Sequence, residues 1–447
     1  MIHIGIPDTK LVCEPNGSKY NVFNVHVNGS YHASIRYSQL LRLHDVLKRE
    51  YSSTLALPEF PPKKVRQNLS EKQLSERRSA LHRFLQALVQ HPITSKHPLV
   101  MKFFLEAQIE SFRPTTSNIS LDISQADGIH HPVRCSVDSP TRLVLEILCR
   151  SLGLNDESMQ LFCLFLVRRK QKHYSMVRWL KDFESPYISL QLANQRAGEL
   201  HEIMVKKCCW DLALEQNLFD DPAAIDLLFA EAVTDINSNS IPVSTEILQR
   251  LRALQQEHSV KEYLKLCQIQ AGYGYMCLAP CLSDYPEPDT HADLRVGRRQ
   301  IVISYADRQT GDPVESVFRA TRIRIWRIVN REERGFKMVF ELEYLMARDH
   351  FEWISICTNQ AVFLSQCLQS MGSEILKDSS THSSPRQPVS PRLSEAPQSS
   401  RYESLREVMA ESSSGSWSQE PSRPVHKPTC SSPIANDAFN TITDDDL

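Results

Sequence analysis

Five basic or aromatic side chains stand where a chain normally avoids them. Arg36 and Tyr37 lie in "VNGSYHASIRYSQL", at the join between a strand and a helix. Lys63 ends the stiff run "FPPK". Arg77 and Arg78 sit inside "SEKQLSERRSALHRFLQALV", three and four residues after Leu74, on the face that Leu74, Leu81, Phe84, Leu85 and Leu88 would bury. An arginine on a buried stripe needs an anionic partner. Guanidinium groups match phosphate bidentately, an ammonium acts as a point charge, and a ring supplies a flat wall. Together these residue types predict an anion site.

The elements that must position them are legible. Val22, Val25 and Val27 alternate with polar neighbours, and Asn28-Gly29 follows, a pair that tolerates positive φ and signals a hairpin. The return strand runs from Tyr31 to about Tyr37, and Ser38 is expected to cap a helix carrying Leu40, Leu43, His44 and Leu47. A helix N-terminus offers free N–H groups and a favourable field to an anion. Ser70 and Gln73 have the spacing of a capping box for the next helix.

The order of hairpin, "RYSQL", "PPKK" and the double-arginine helix resembles a PX domain, the phosphoinositide-binding fold of sorting nexins. The resemblance implies that Arg36 clamps the 3-phosphate of phosphatidylinositol 3-phosphate and Tyr37 stacks under the inositol ring. It also implies that Lys63 reaches the 1-phosphate and Arg77 bonds the 4- and 5-hydroxyls.

The chain has 447 residues, too many for one core, and a formal net charge of -2, so it is not a protein that blankets nucleic acid. It has no apolar run of 18 residues, and its opening "MIHIGIPDTK" lacks the charge and apolar stretch of a secretory signal. Its 12 cysteines show no zinc spacing and read as reduced thiols. No P-loop, nucleophile elbow or His-Glu-x-x-His occurs, so neither metal nor cofactor nor catalysis is expected.

The fold class expected is α+β multidomain. Residues 1–110 form the PX module, an antiparallel sheet plus helices. A three-lobed module follows: a ubiquitin-like roll over 115–205, a helical lobe over 206–275, and a phosphotyrosine-binding or pleckstrin-type sandwich over 276–376. Residues 378–447, rich in Ser, Pro and charge, read as a disordered tail. Within it "YESLREVM" is either a short recognition helix or a chance cluster.

In "RATRIRIWRIVN", alternation places Ile323, Ile325 and Val329 on one side and Arg322, Arg324, Trp326 and Ile328 on the other. Trp326 is thus expected on the outer face, as a binding residue or under another lobe. In the closing helix, Phe363 and Cys367 flank a core face of Ala361, Leu364, Leu368, Met371 and Ile375.

The lobe order resembles a FERM domain, and "YLMARDHFEW" and "CLQSM" resemble the PX-FERM sorting nexins. That resemblance implies a peripheral protein of the cytoplasm and early endosome that captures Asn-Pro-x-Tyr or Asn-x-x-Tyr tails of membrane cargo. Trp326 and Leu345 carry over as peptide-site residues, with Phe363 and Cys367 beside them. A further family contact, a valine, is Gly372 here. The family also implies an acidic-Leu terminus that recruits the Retriever recycling complex, here through Phe439, Asp445, Asp446 and Leu447. The expectation is a cargo adaptor that directs cargo to recycling rather than degradation. The alternative is a signalling scaffold on endosomes whose roll binds a Ras-type GTPase.

Overall fold

A computed structural model describes residues 2–14, 17–51, 55, 57–63, 70–170, 173–197, 200–331, 334–381, 429–430 and 433–441. The first module holds β1 (Ile4–Gly5), β2 (Thr9–Cys13), β3 (Lys19–Val27), β4 (Ser30–Arg36), α1 (Tyr37–Glu50), α2 (Glu71–Gln90) and α3 (Pro98–Phe112). Its sheet is antiparallel, with β3 pairing β1, β2 and β4. Asn28 and Gly29 both adopt positive φ, as the hairpin requires. Ser70 and Gln73 form the expected capping box on α2. On α1 the expectation is off by two residues. Arg36 is the N-cap, its N–H donating to Gln39 Oε1 at 2.8 Å, so Ser38 lies inside the first turn.

The roll comprises β5 (Asn118–Ser124), β6 (His130–Ser136), α4 (Thr141–Leu152), α5 (Asp156–Met159), β7 (Phe162–Lys170), β8 (His173–Trp179), α6 (Pro186–Ala197) and β9 (His201–Lys207). Strand order is β6-β5-β9-β7-β8. The helical lobe follows with α7 (Leu212–Gln216), α8 (Pro222–Asn237), α9 (Thr245–Gln256) and α10 (Val260–Gln268). Asp221 caps α8, accepting from Ala223 and Ala224 N–H, with Pro222 at the first helical position.

The last lobe is a sandwich of β10 (Tyr275–Cys277), β11 (Cys281–Ser283), β12 (Thr290–Gly297), β13 (Gln300–Ala306), β14 (Pro313–Arg319), β15 (Ile323–Asn330), β16 (Val339–Ala347) and β17 (His350–Cys357). It is capped by α11 (Ala361–Thr381). Two further strands, β18 (Thr429–Cys430) and β19 (Ile434–Ala435), and a 3₁₀ turn (Asp437–Thr441) come from the segment expected to lack structure. Both strands pair with β15. A stretch too polar to fold on its own gains structure here because β15 supplies the hydrogen-bonding edge and the lobe supplies the apolar surface. The recognition-helix candidate, residues 402–409, lies outside the described residues.

The modules touch through buried groups. Gln108 on α3 bonds Ser189 Oγ (2.9 Å) and the Ser185 N–H (2.8 Å). Phe183, from the roll, joins the core of the first module. Beside it Glu184, fully buried, takes a bidentate bond from Arg178 (2.6 and 2.7 Å) and another from Ser189 Oγ (2.6 Å). His32, packed edge-on to Phe104 and Phe183, is buried without charge, and burial holds its imidazole down to about 4.

Candidate functional site

The structure brings Arg36, Tyr37 and Arg77 together. β4 delivers Arg36 to its end and α1 begins with Tyr37, so the two side chains leave adjacent backbone positions at a helix N-terminus. Arg36 lies flat over the Tyr20 ring, 3.5 Å from its centroid, and its Nη2 donates to Glu14 Oε1 at 2.8 Å. Arg77 stacks over the Tyr37 ring at 4.6 Å, and its Nη2 is buried with no hydrogen-bond partner. A buried guanidinium nitrogen without an acceptor is costly, and a ligand oxygen would satisfy it. Tyr37 Oη donates to the Pro61 carbonyl at 2.8 Å, tying the proline segment to the pocket; Lys63, two residues on, is exposed. Arg78 differs from the expectation. It donates to the Ile6 and Pro7 carbonyls, so backbone oxygens, not an anion, satisfy it and fasten β1 to α2.

The second assembly surrounds Trp326. Alternation placed it outward, but the register shifts between Ile323 and Ile325. That β-bulge resets the alternation, so Trp326 turns inward and is 2% exposed. Its Nε1 donates to Ser365 Oγ on α11 at 2.7 Å.

Between β15 and α11 lies the chain's own C-terminal segment. Ile434 and Ala435 pair antiparallel with Trp326 and Ile325, and Thr429 and Cys430 with Asn330 and Val329. Ile434 and Ala438 are buried in the same apolar cluster as Trp326. Asn436 is the hub. Its N–H donates to the Arg324 carbonyl (3.0 Å), and its Nδ2 to the carbonyls of Ala320 and Ile323 (2.7 Å each). Those carbonyls belong to the turn and bulge where regular pairing breaks. An aspartate could not donate to them, so the site demands an amide. Asn436 Oδ1 accepts from the Ala438 N–H (3.2 Å), and the Phe439 N–H donates to the Asn436 carbonyl (3.0 Å), closing a turn. Phe439 then meets the Phe351 ring at 5.9 Å. Arg324 covers Phe351 at 4.2 Å, its charge matched bidentately by Glu343 (2.6 Å twice).

The other expected peptide-site residues divide. Leu345 is buried and pairs in register with Phe351. Phe363 meets Phe165 of the roll instead (6.5 Å), and Cys367, a thiol pushed up by burial, feels Lys181 of the roll. Both therefore lie on the flank of α11 toward the roll. The flank toward the groove carries Ser365 and, two turns on, Gly372. A Cβ on Gly372 would stand 3.2 Å from Asn436 Oδ1 and 3.7 Å from Ala438 Cβ, so the missing side chain lets the turn approach the helix. Sequence reading missed Ser365, and no pattern singles out one serine on a helix. The structure seats Phe439 in the groove, a place the recruiting role did not foresee. Asp445, Asp446 and Leu447 lie outside the described residues.

Among the described residues no helix is long and apolar enough to cross a membrane, and no cluster of His, Cys, Asp or Glu could hold a metal.

Comparison with known proteins agrees with this architecture. The PX domain family matches residues 23–107. The F1 lobe of the FERM domain of sorting nexins 17, 27 and 31 matches 119–210, and the F2 lobe of sorting nexins 17 and 31 matches 211–269. The sorting nexin 17 FERM C-terminal domain matches 274–376. Sorting nexin-17 of Danio rerio is 33% identical over 407 residues, covering 88% of this chain and 85% of its own. The chain belongs to the PX-FERM sorting nexins. Human sorting nexin-17 is 34% identical (84% of this chain, 82% of its own), and human sorting nexin-31 is 31% identical (83% and 86%). This sorting nexin is accordingly an endosomal sorting adaptor, a peripheral protein made of binding modules and not an enzyme.

Proposed function

We propose that this adaptor binds phosphatidylinositol 3-phosphate on early endosomes through Arg36, Tyr37, Lys63 and Arg77. Between β15 and α11 it holds Asn-Pro-x-Tyr or Asn-x-x-aromatic tails of cargo. It sends that cargo to recycling through Asp445, Asp446 and Leu447, the end that would engage the Retriever complex. The supporting observation is the seat of Asn436-Asp437-Ala438-Phe439, itself an Asn-x-x-aromatic run, which turns off the Ile434–Ala435 strand added to β15 with its amide on the Ala320 and Ile323 carbonyls. Two weak attachments on one surface, lipid and tail, multiply through effective concentration.

The seated segment adds a condition. A cargo tail must displace it. With a tail at an effective concentration of about 1 mM and an intrinsic dissociation constant of about 100 μM, an outside peptide binds about tenfold more weakly. Cargo capture then frees Phe439, which couples loading to recruitment.

The test is on the peptide side, because Trp326 is buried and its removal would hollow the lobe. The full chain is titrated calorimetrically with an Asn-Pro-x-Tyr peptide and with its Asn-to-Ala counterpart. Loss of at least tenfold is expected. Equal affinities would sink the groove as the cargo site.

A further inference from the structure

Ser365 Oγ is a meeting point of two modules. Trp326 Nε1 donates to it at 2.7 Å from β15, and His3 Nε2, from the residue just before β1, lies 2.9 Å away. All three residues are buried, Ser365 completely. An indole N–H can only donate, so Ser365 Oγ accepts from Trp326 and has its own proton left to give. Burial holds the His3 imidazole near 3, with the Lys181 ammonium pushing the same way, so the ring is neutral, and in the tautomer protonated at Nδ1 its Nε2 accepts that proton. In that tautomer the chain runs from Trp326 to Ser365 to His3.

The far end of the chain is rigid. His3 N–H donates to Asn28 Oδ1 (2.9 Å) and the Asn28 N–H donates to the His3 carbonyl (2.8 Å). On either side Gln86 of α2 bonds the Ile4 N–H (2.7 Å) and the Ile2 carbonyl (3.1 Å). The adjacent hairpin tip, Gly29, abuts Val362 near the start of α11. The imidazole therefore stands on the PX frame and not on the lobe it reaches into. The near end is the groove itself, since Trp326 pairs with Ile434 and shares its apolar cluster with Ile434 and Ala438.

We propose that His3, a PX residue, is a positioning residue of the peptide groove, orienting the Trp326 indole through Ser365. The PX module thus completes the groove as well as supplying the lipid pocket. This rests on the reading of the β15–α11 groove as the peptide site.

The experiment uses the full chain carrying Asn436→Ala and Phe439→Ala, so that its own segment vacates the groove. The probe is a labelled synthetic peptide copying residues 428–443, followed by fluorescence anisotropy. His3→Leu, which keeps bulk and removes the acceptor, is expected to weaken the peptide at least fivefold. His3→Gln, whose amide oxygen can stand in for Nε2, is expected to restore affinity to within twofold. In a Ser365→Ala background His3→Leu should have no further effect, a non-additivity that a general loss of packing would not give. Sedimentation with phosphatidylinositol 3-phosphate vesicles should not change. Should His3→Leu fail to fold by thermal melting, His3→Ala carries the same expectations. Unchanged affinity in the His3 variants, or an undiminished His3 effect without Ser365, overturns the proposal while leaving the groove reading intact. No binding by the parent chain overturns the groove reading, and the proposal with it.

Discussion

In the PX module the charged groups are only partly covered. The Arg36 side chain is 43% exposed, its carboxylate partner Glu14 is 34% exposed, and Arg77 keeps a buried nitrogen without an acceptor. In the last lobe the reverse holds. Trp326, Ser365, Asn436 and Ala438 are buried, each polar atom of the Asn436 amide is engaged, and the seat is filled by the chain itself. On the proposed reading, one site waits with its charge part-exposed and the other is filled by a stand-in. The first can respond to ligand directly. The second responds only by exchange, so its apparent affinity depends on a competitor tethered to the same molecule.

The sharpest way to break the comparison is at Arg36. Arg36→Ala should remove a charge-assisted bidentate contact worth about 2 to 3 kcal/mol, weakening sedimentation with phosphatidylinositol 3-phosphate vesicles roughly 30- to 150-fold. Unchanged sedimentation would place the lipid elsewhere. A smaller and opposite effect is expected at Asn436. Asn436→Ala loses both carbonyl contacts and releases the segment, so calorimetric affinity for an Asn-Pro-x-Tyr peptide should rise about tenfold. No rise would mean that the seated segment is not a competitor. The smallest effect is at Glu14. An exposed ion pair is worth about 0 to 1 kcal/mol, so Glu14→Gln should tighten vesicle binding only twofold to threefold. A larger gain would show that Glu14 holds the pocket shut, and would make the two sites alike after all.

The two sites were also unequally legible. The proposed lipid pocket is written in side chains that contradict their local setting, an arginine at a strand end and another on an apolar stripe, so residue type alone points to it. Even so Arg78 misled, because two backbone carbonyls satisfy it and carbonyls carry no sequence signature. The groove is built largely from backbone. Its acceptors are the carbonyls of Ala320, Ile323 and Arg324, and a single bulge turns Trp326 from the outer face to the inner one. Alternation cannot foresee a bulge that no glycine marks. The seated segment was hidden for another reason. Composition gauges whether a stretch can bury its own surface, and here most of the surface and one whole hydrogen-bonding edge belong to the lobe. Family resemblance supplied Trp326 and Leu345, while the placement of Phe363 and Cys367 toward the roll needed the helix phase relative to a neighbouring lobe.

The buried Arg178–Glu184 pair, with Gln108 and Phe183 beside it, has a geometric consequence. Gln108 and Phe183 fasten the first module to the roll, where Arg178 braces Glu184 beside them, while His3 fastens it to the last lobe, so the frame is held at two points. Such a frame acts as a ruler. With the Arg36 pocket against a bilayer, the groove stands at one fixed height above it. A cargo tail can climb at most about 3.3 to 3.6 Å per residue. If the groove is the cargo site proposed above, the number of residues between a cargo's membrane span and its asparagine becomes a selection rule in its own right, one that no side chain in the groove needs to read.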